Sequence, residues 1–241
     1  MSWKWSDNPN DISIPLLSIY FNRDEQLTRP LATPPQVYQA EDVTYMAPID
    51  PLRGGTWLAV NTYNIAVTLL NNYAILPAKE KNYASRGHIV TSLMSCKNLS
   101  EIKLTLESLI AKDLYPAFSL VAFDPHSHGY LFFQWNENTL ESGDLPHPFF
   151  TSSSWNTEAV QQERLESYLS EVVTNNTPHE VFHTSTPQGK ELSSVYMQRE
   201  KTQTVSRTYI HLYEDKATMH YFDRASDENY TATLITSTKH A

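Results

Sequence analysis

An apolar run at residues 65–70, closed by Asn71, constrains the fold of this 241-residue chain more than any other feature. It falls far short of the roughly 20 residues that a membrane-spanning helix needs. It also lacks the polar alternation of a strand with one wet face, so it reads as a strand buried on both faces. Such a strand requires apolar material on each side of its sheet. Residues 57–61 and 65–71 then form a strand pair around the turn Thr62-Tyr63-Asn64.

The rest of the pattern agrees with a layered architecture. Residues 118–123 and 130–135 read as two more strands, joined by Asp124-Pro125-His126-Ser127-His128-Gly129. Helical spacing occurs at Ile89, Val90, Leu93 and Met94 behind Ser85-Arg86-Gly87, and again at Ile102, Leu106, Leu109 and Ile110. Residues 160–173 form an amphipathic helix with Val160, Leu165, Leu169 and Val172 near one face. Residues 12–21 read as a strand running into a turn, and 30–35, with three prolines, as an irregular surface segment. Runs at 194–197, 208–213, 218–222 and 230–235 are strand-like. Strands at both ends with helices between them predict an α+β fold with layered sheets. Pro and Gly punctuate the chain evenly and no repeat is present, so one domain is expected over 1–241.

Eighteen Lys and Arg against 27 Asp and Glu give a net charge of −9. That balance offers no basic stripe for displacing phosphate counterions, so no nucleic-acid partner is expected. The single cysteine excludes an internal disulfide framework and any Cys-cluster metal site. The start Met1-Ser2-Trp3-Lys4 has no apolar stretch behind a basic one, so a cytoplasmic protein with no membrane span is expected. Nothing in the sequence calls for a cofactor.

Four segments could carry chemistry. His179-Glu180-Val181-Phe182-His183 matches the spacing of zinc proteases, but that chemistry needs a continuous helix and a third ligand. Pro178 and Pro187 bracket it and Val181-Phe182 favours strand, so an exposed loop is the expectation; His126 and His128 read as surface histidines. Asn22-Arg23-Asp24-Glu25 is either a solvated turn or a set of charges delivered to a sheet edge, where Arg23 could grip an anion in bidentate geometry. Asn71, ending a buried strand, offers a neutral amide of the kind that stabilises an oxyanion. Ser85-Arg86-Gly87 caps a helix, with anion binding as the alternative. Cys96 reads as a small buried hydrophobe.

Taken together, these segments resemble the NRDE family, whose eukaryotic members are known as transport and Golgi organisation protein 2. The resemblance rests on Phe21-Asn22-Arg23-Asp24-Glu25 with Thr28-Arg29-Pro30, Met46-Ala47-Pro48-Ile49-Asp50 and Gly54-Gly55-Thr56-Trp57-Leu58-Ala59-Val60-Asn61. Leu69-Leu70-Asn71, Ser85-Arg86-Gly87 and Thr151-Ser152-Ser153-Ser154-Trp155 follow in family order. The family is in turn similar to N-terminal-nucleophile hydrolases of the bile salt hydrolase and penicillin V acylase branch. That likeness implies a four-layer αββα sandwich and cleavage of an amide or acyl bond in a small-molecule substrate. It also implies site roles for Arg23, Asp24 and Asn71, with Asn64 standing where a turn glycine is usual. Glu25 competes with Asp24 for the carboxylate role, and Arg199 and Arg207 for that of a late arginine. The family begins Met-Cys-Thr, and Ser2-Trp3 matches a pair a few residues beyond that Cys. The preferred expectation is therefore a start at an internal Met and a missing nucleophile; exposure of Ser2 after removal of Met1 is the alternative. Two expectations follow: Met1-Ser2-Trp3 enters the core as a first strand, and Arg23 and Asn71 share a cleft near it. The second functional reading is a non-catalytic protein of haem or lipid handling or of trafficking.

Overall fold

Alternation along β-strand Ala66–Asn71 sends Val67 and Leu69 to one face of a sheet, and Ala66 and Leu70 to the other. The computed structural model describes residues 1–78 and 80–237 and covers both faces. The smaller of its two sheets contains β1 (Ser2–Trp5), β2 (Leu17–Gln26), β10 (Thr202–Leu212), β11 (Lys216–Asp223) and β12 (Glu228–Ile235), in the order β1-β2-β10-β11-β12. The larger contains β3 (Thr33–Ala40), β4 (Val43–Ile49), β5 (Leu58–Asn61), β6 (Ala66–Asn71), β7 (Phe118–Asp124), β8 (Gly129–Trp135) and β9 (Leu140–Gly143), in sequence order. Every pairing is antiparallel.

Trp3, Leu17, Ile19, Phe21, Ile210 and Met219 of the smaller sheet meet Met46, Leu58, Val60, Val121 and Phe123 of the larger one. Each such side chain contributes about 1.5–3 kcal/mol by leaving water. On the far side of the larger sheet, α1 (Arg86–Leu93) and α2 (Leu99–Lys112) bury Ile89, Val90, Ile102 and Leu106 against Val67, Leu69, Leu120 and Phe133. Beyond the smaller sheet lie α3 (Thr157–Tyr168), a π-helical turn (Leu169–Thr174) and α4 (His179–Phe182). Tyr168 and Phe182 pack there with Phe149 and Val195. The layers run helix, sheet, sheet, helix: an α+β, αββα sandwich, the layer order that the likeness to N-terminal-nucleophile hydrolases implies. Among the described residues no helix is long and apolar enough to cross a membrane.

Turn chemistry explains the central hairpin. Asn64 adopts a left-handed conformation (φ 62°), which asparagine tolerates better than most residues, so it can stand where glycine is usual. The buried Asn61 side chain accepts from the Tyr63 and Ile65 amides and donates to the Met94 and Cys96 carbonyls, tying the hairpin to the end of α1.

Several local expectations are corrected. The first long strand is β2, which starts at Leu17; Ile12 is 79% exposed. It does not turn at Asn22 but runs on through Gln26, because β10 pairs with it along that length. Pro34 and Pro35 lie inside β3, which tolerates them because it is a sheet edge with no neighbour requiring their missing N–H groups. Residues 194–197 form no strand; they bend around Arg164, which takes the Ser193 and Ser194 carbonyls. The helix expected over 160–173 changes to π geometry after Tyr168. Ser85 sits at the N-cap of α1, but its hydroxyl makes no capping bond.

Candidate functional site

Where the two sheets meet the start of α1, the chain leaves a cavity of about 510 Å³. Met1, Arg23, Asp24, Asn71, Arg86 and Arg199 are among the residues that line it. Arg23 is 8% exposed, and its guanidinium carbon lies 4.3 Å from the centroid of the Trp57 ring. Its Nη2 donates to Asp50 Oδ2 at 3.2 Å and to Glu25 Oε2 at 3.4 Å. Arg29 grips the same Asp50 oxygen through Nε at 2.8 Å and Nη2 at 2.6 Å. Burial opposes the charge on Arg23, and Glu25 and Asp50 restore it. The solvated turn that the sequence left open for this segment is thus excluded.

Asp24 borders the same cavity, yet its carboxylate turns the other way. Oδ1 accepts from Thr204 Oγ1 at 2.7 Å and Oδ2 from Arg164 Nη2 at 3.2 Å. A register shift between Thr204 and Ser206 in β10 faces Arg23 and Asp24, a bulge of the kind that re-aims side chains beside sites. Met1 extends the line of β1: its amine donates to the Phe150 carbonyl at 2.9 Å, and its Sδ accepts from Thr68 Oγ1 at 3.0 Å. Burial, helped by Arg164 and opposed by Asp24, lowers the amine pKa to about 5, so it is unprotonated at neutral pH. Trp3 is buried in the core as expected.

Asn71 closes β6 and donates through Nδ2 to the Tyr73 hydroxyl at 2.8 Å. By strand alternation it shares the face of Val67 and Leu69, whereas Met1 packs over Thr68 on the other. Arg23, Asp24 and Asn71 therefore line one cavity near Met1, with no hydrogen bond joining Asn71 to the other two. Of the two late arginines, Arg199 lines the cavity; Arg207 lies elsewhere, among Tyr196, Tyr209 and Phe222.

Ser2 is fully buried on the opposite face of β1 from Met1. Its Oγ lies 2.6 Å from His179 Nδ1 and 2.9 Å from His183 Nε2. Asn22 spends its amide N–H groups on the His183 and Val195 carbonyls, so its Oδ1 must accept from His183 Nδ1 at 2.9 Å. His183 Nε2 then accepts the Ser2 proton, and His179 Nδ1 donates to Ser2 Oγ. Burial holds the His179 pKa near 4 and that of His183 well below its ordinary value, so both rings are neutral. The expected exposed loop at 179–183 is thereby corrected: it is a buried helical turn stacked on Tyr20, 4.9 Å between the Tyr20 and His179 rings. The alternative of Ser2 as nucleophile also loses its basis, because its hydroxyl faces away from the cavity. Among the described residues no cluster suits a metal ion. Cys96 is buried away from the cavity, and burial raises its thiol pKa.

Arg164, 4% exposed, escaped notice in the sequence although it bonds Asp24, Thr151 and three backbone carbonyls. Its signal was available: it stands four residues from both Val160 and Tyr168, on the buried stripe of α3. Asp50 and Trp57 lie in segments noted for other reasons and Tyr73 two residues beyond Asn71, and only the fold shows that they line one cavity.

The sequence model for "Transport and Golgi organisation 2" matches residues 2–238. Two solved structures are similar at low identity, both variants of a conjugated bile acid hydrolase from Clostridium perfringens. One has a TM-score of 0.49 at 11% identity, covering 97% of this chain and 96% of that one. The other has a TM-score of 0.45 at 10% identity, covering 100% and 93%. No curated protein sequence matches the chain.

Proposed function

The chain belongs to the Transport and Golgi organisation 2 family, and from that premise we propose that its single domain has the site of a hydrolase acting on an amide or acyl bond of a small molecule. The observation that carries this reading is the register of β1. Ser2 pairs with Tyr20 and Trp3 with Ile19, so a residue two places ahead of Met1 would stand opposite Arg23. Alternation would turn its side chain to the cavity side, the side of Met1. The other edge of β1 runs beside Phe149, so the same residue would pass beside Ser152, which also lines the cavity. The Met1 amine already makes a ladder bond to the Phe150 carbonyl, which sets the line along which the strand would continue.

A Cys-Thr pair ahead of Met1 would therefore place a thiol and its own α-amine in the cavity. In the reaction, the amine takes the thiol proton and sulfur attacks the substrate carbonyl carbon. The carbon–nitrogen bond breaks and the proton passes to the leaving amine; water then cleaves the thioester. Arg23 holds the anionic end of the site, and Asp24, through Arg164, fixes the surroundings of the amine. The Asn71 amide is the donor for the oxyanion. Met1 itself lies two places along the strand from this position, and its thioether has no proton to give and is no acyl nucleophile. The second reading is a non-catalytic protein of haem or lipid handling or of trafficking, in which the cavity only binds.

The test compares this chain with one that carries Met-Cys-Thr ahead of Met1, and with the matching Met-Ala-Thr control. Intact mass must first show the initiator removed. The hydrolase reading expects an acyl-enzyme adduct with an activated acyl ester, and turnover, in the Cys form alone. A processed Cys form that is inert to acyl probes would leave the non-catalytic reading.

A further inference from the structure

The cavity carries positive charge that the chain does not neutralise. Five arginines line it against three carboxylates, Asp24, Glu25 and Asp50, a local excess of 5 − 3 = +2 in a molecule of net charge −9. Arg23 and Arg29 share Asp50 and Glu25, while Asp24 serves Arg164. Among the described residues, Arg86 and Arg199 join no ion pair. Arg86 donates through Nη1 to the Ala117 carbonyl at 2.8 Å. Arg199 donates through Nε to the Leu192 carbonyl at 2.8 Å and through Nη2 to Ser153 Oγ at 3.1 Å, and lies 5.1 Å from the Trp155 ring centroid. Each keeps guanidinium N–H groups that no atom of the described residues takes in a hydrogen bond.

Both are partly withdrawn from water, and burial works against their charge. A half-desolvated cation without a counter-ion is a cost that a bound anion would remove. Arg86 and the Asn72 amide share the Ala117 carbonyl, so Arg86 stands beside the turn that carries Tyr73, and Tyr73 lines the cavity together with Arg199. The Tyr73 hydroxyl already accepts from Asn71. Tyr73 thus carries the amide at the end of β6 towards the stretch of cavity wall that Arg86 and Arg199 also line. Trp57 Nε1, on the cavity wall, is a further buried donor without a partner.

We propose that Arg86, Tyr73 and Arg199 form a subsite for the oxyanion head, carboxylate or phosphate, of an acyl ligand that lies along the cavity. Its position beside the bond to be cleaved rests on the hydrolase reading; the anion preference does not. Two guanidinium forks bind such heads through charge-assisted pairs that a neutral amide cannot replace.

Calorimetric titration of the chain as written, with three ligands of one alkyl length, tests this. N-octanoylglycine and octyl phosphate present the two oxyanions, and N-octanoylglycinamide is the neutral control. At least one anion should bind about tenfold or more tightly than the amide at low salt, with the advantage shrinking as salt rises. Which anion gains more identifies the head group. Arg86→Gln should remove most of the advantage without weakening the amide. Arg199→Lys keeps the charge but loses the fork, and should remove part of it; circular dichroism confirms that each variant is folded. Equal affinity for all three ligands, no binding of any, or an advantage that survives in both folded variants would overturn the subsite. Calorimetry needs no nucleophile, so an inert Cys-extended chain would defeat the hydrolase reading and leave this result standing.

Discussion

Gly55 and Gly87 meet backbone to backbone: a Cβ on Gly55 would lie 2.6 Å from the Gly87 carbonyl carbon and 2.8 Å from its Cα. The Thr56 amide donates to the Gly87 carbonyl across this contact at 3.2 Å. The approach presses the wall carrying Asp50 and Trp57 against the start of α1, where Arg86 sits, and so sets the width of the cavity.

Gly55→Ala should therefore destabilise the fold by about 1–3 kcal/mol, since backbone rather than a flexible side chain must give way. Gly54→Ala meets no atom but inherits φ 68°, and should cost about 1 kcal/mol. Urea unfolding measures both, and a Gly54 variant weaker than the Gly55 variant would contradict the close approach.

Asn61→Ala should cost about 3 kcal/mol. It removes four hydrogen bonds at a fully buried position and strands two amides and two carbonyls, while leaving a small void. Thermal and urea unfolding should agree on the loss. A variant within a few tenths of the parent would mean that water replaces the side chain.

Acid should destabilise the protein through Ser2, His179 and His183. The histidine pKa values are depressed in the folded state, to about 4 for His179 and well below the ordinary value for His183. An unfolded histidine takes its proton near 6.5, so the unfolded chain gains protons that the folded one refuses. This stability is complete above about pH 6.5 and drains away as the pH falls towards 4. The Met1 amine, lowered from 8.0 to about 5, acts in the same direction over a higher window. The unfolding midpoint should fall steadily between pH 8 and 4, and His179→Gln with His183→Gln should flatten that slope even if the parent is more stable at pH 8.

In the Cys-extended chain, Asn71→Ala should lower turnover by about 10²–10³ if the amide serves the oxyanion. Its loss should fall on turnover far more than on ligand affinity, because the oxyanion forms only in the transition state. A loss confined to KM would assign Asn71 to binding instead.

The hairpins β5–β6 and β7–β8 and the helix α2 were legible because local pattern decides them: apolar runs, turn residues and 3.6-residue spacing. The segment Asn22–Glu25 was not, because four polar residues in a row are explained as strand only by what faces them from β10, Asp50 and Arg164. His179 and His183 were misread for a similar reason. Their burial depends on Ser2, 177 and 181 residues away, and no local pattern contains that distance. Arg23 and Asn71 stand out by motif, and Tyr73 is only two residues from Asn71, whereas Arg164, which holds Asp24, comes from 140 residues away.

The alternation of β2 through its charged segment has an evolutionary consequence. Asn22 and Asp24 reach the helical layer, through His183 and Arg164, while Arg23 and Glu25 reach the cavity wall around Asp50. The four adjacent side chains therefore divide their hydrogen bonds between two sets of partners, although Asn22 and Asp24 also border the cavity. A saturation scan of these codons should show Asn22 variants, whose side chain is spent on His183 and Val195, rescued by extra stability elsewhere, and Arg23 variants that no stabilising background restores.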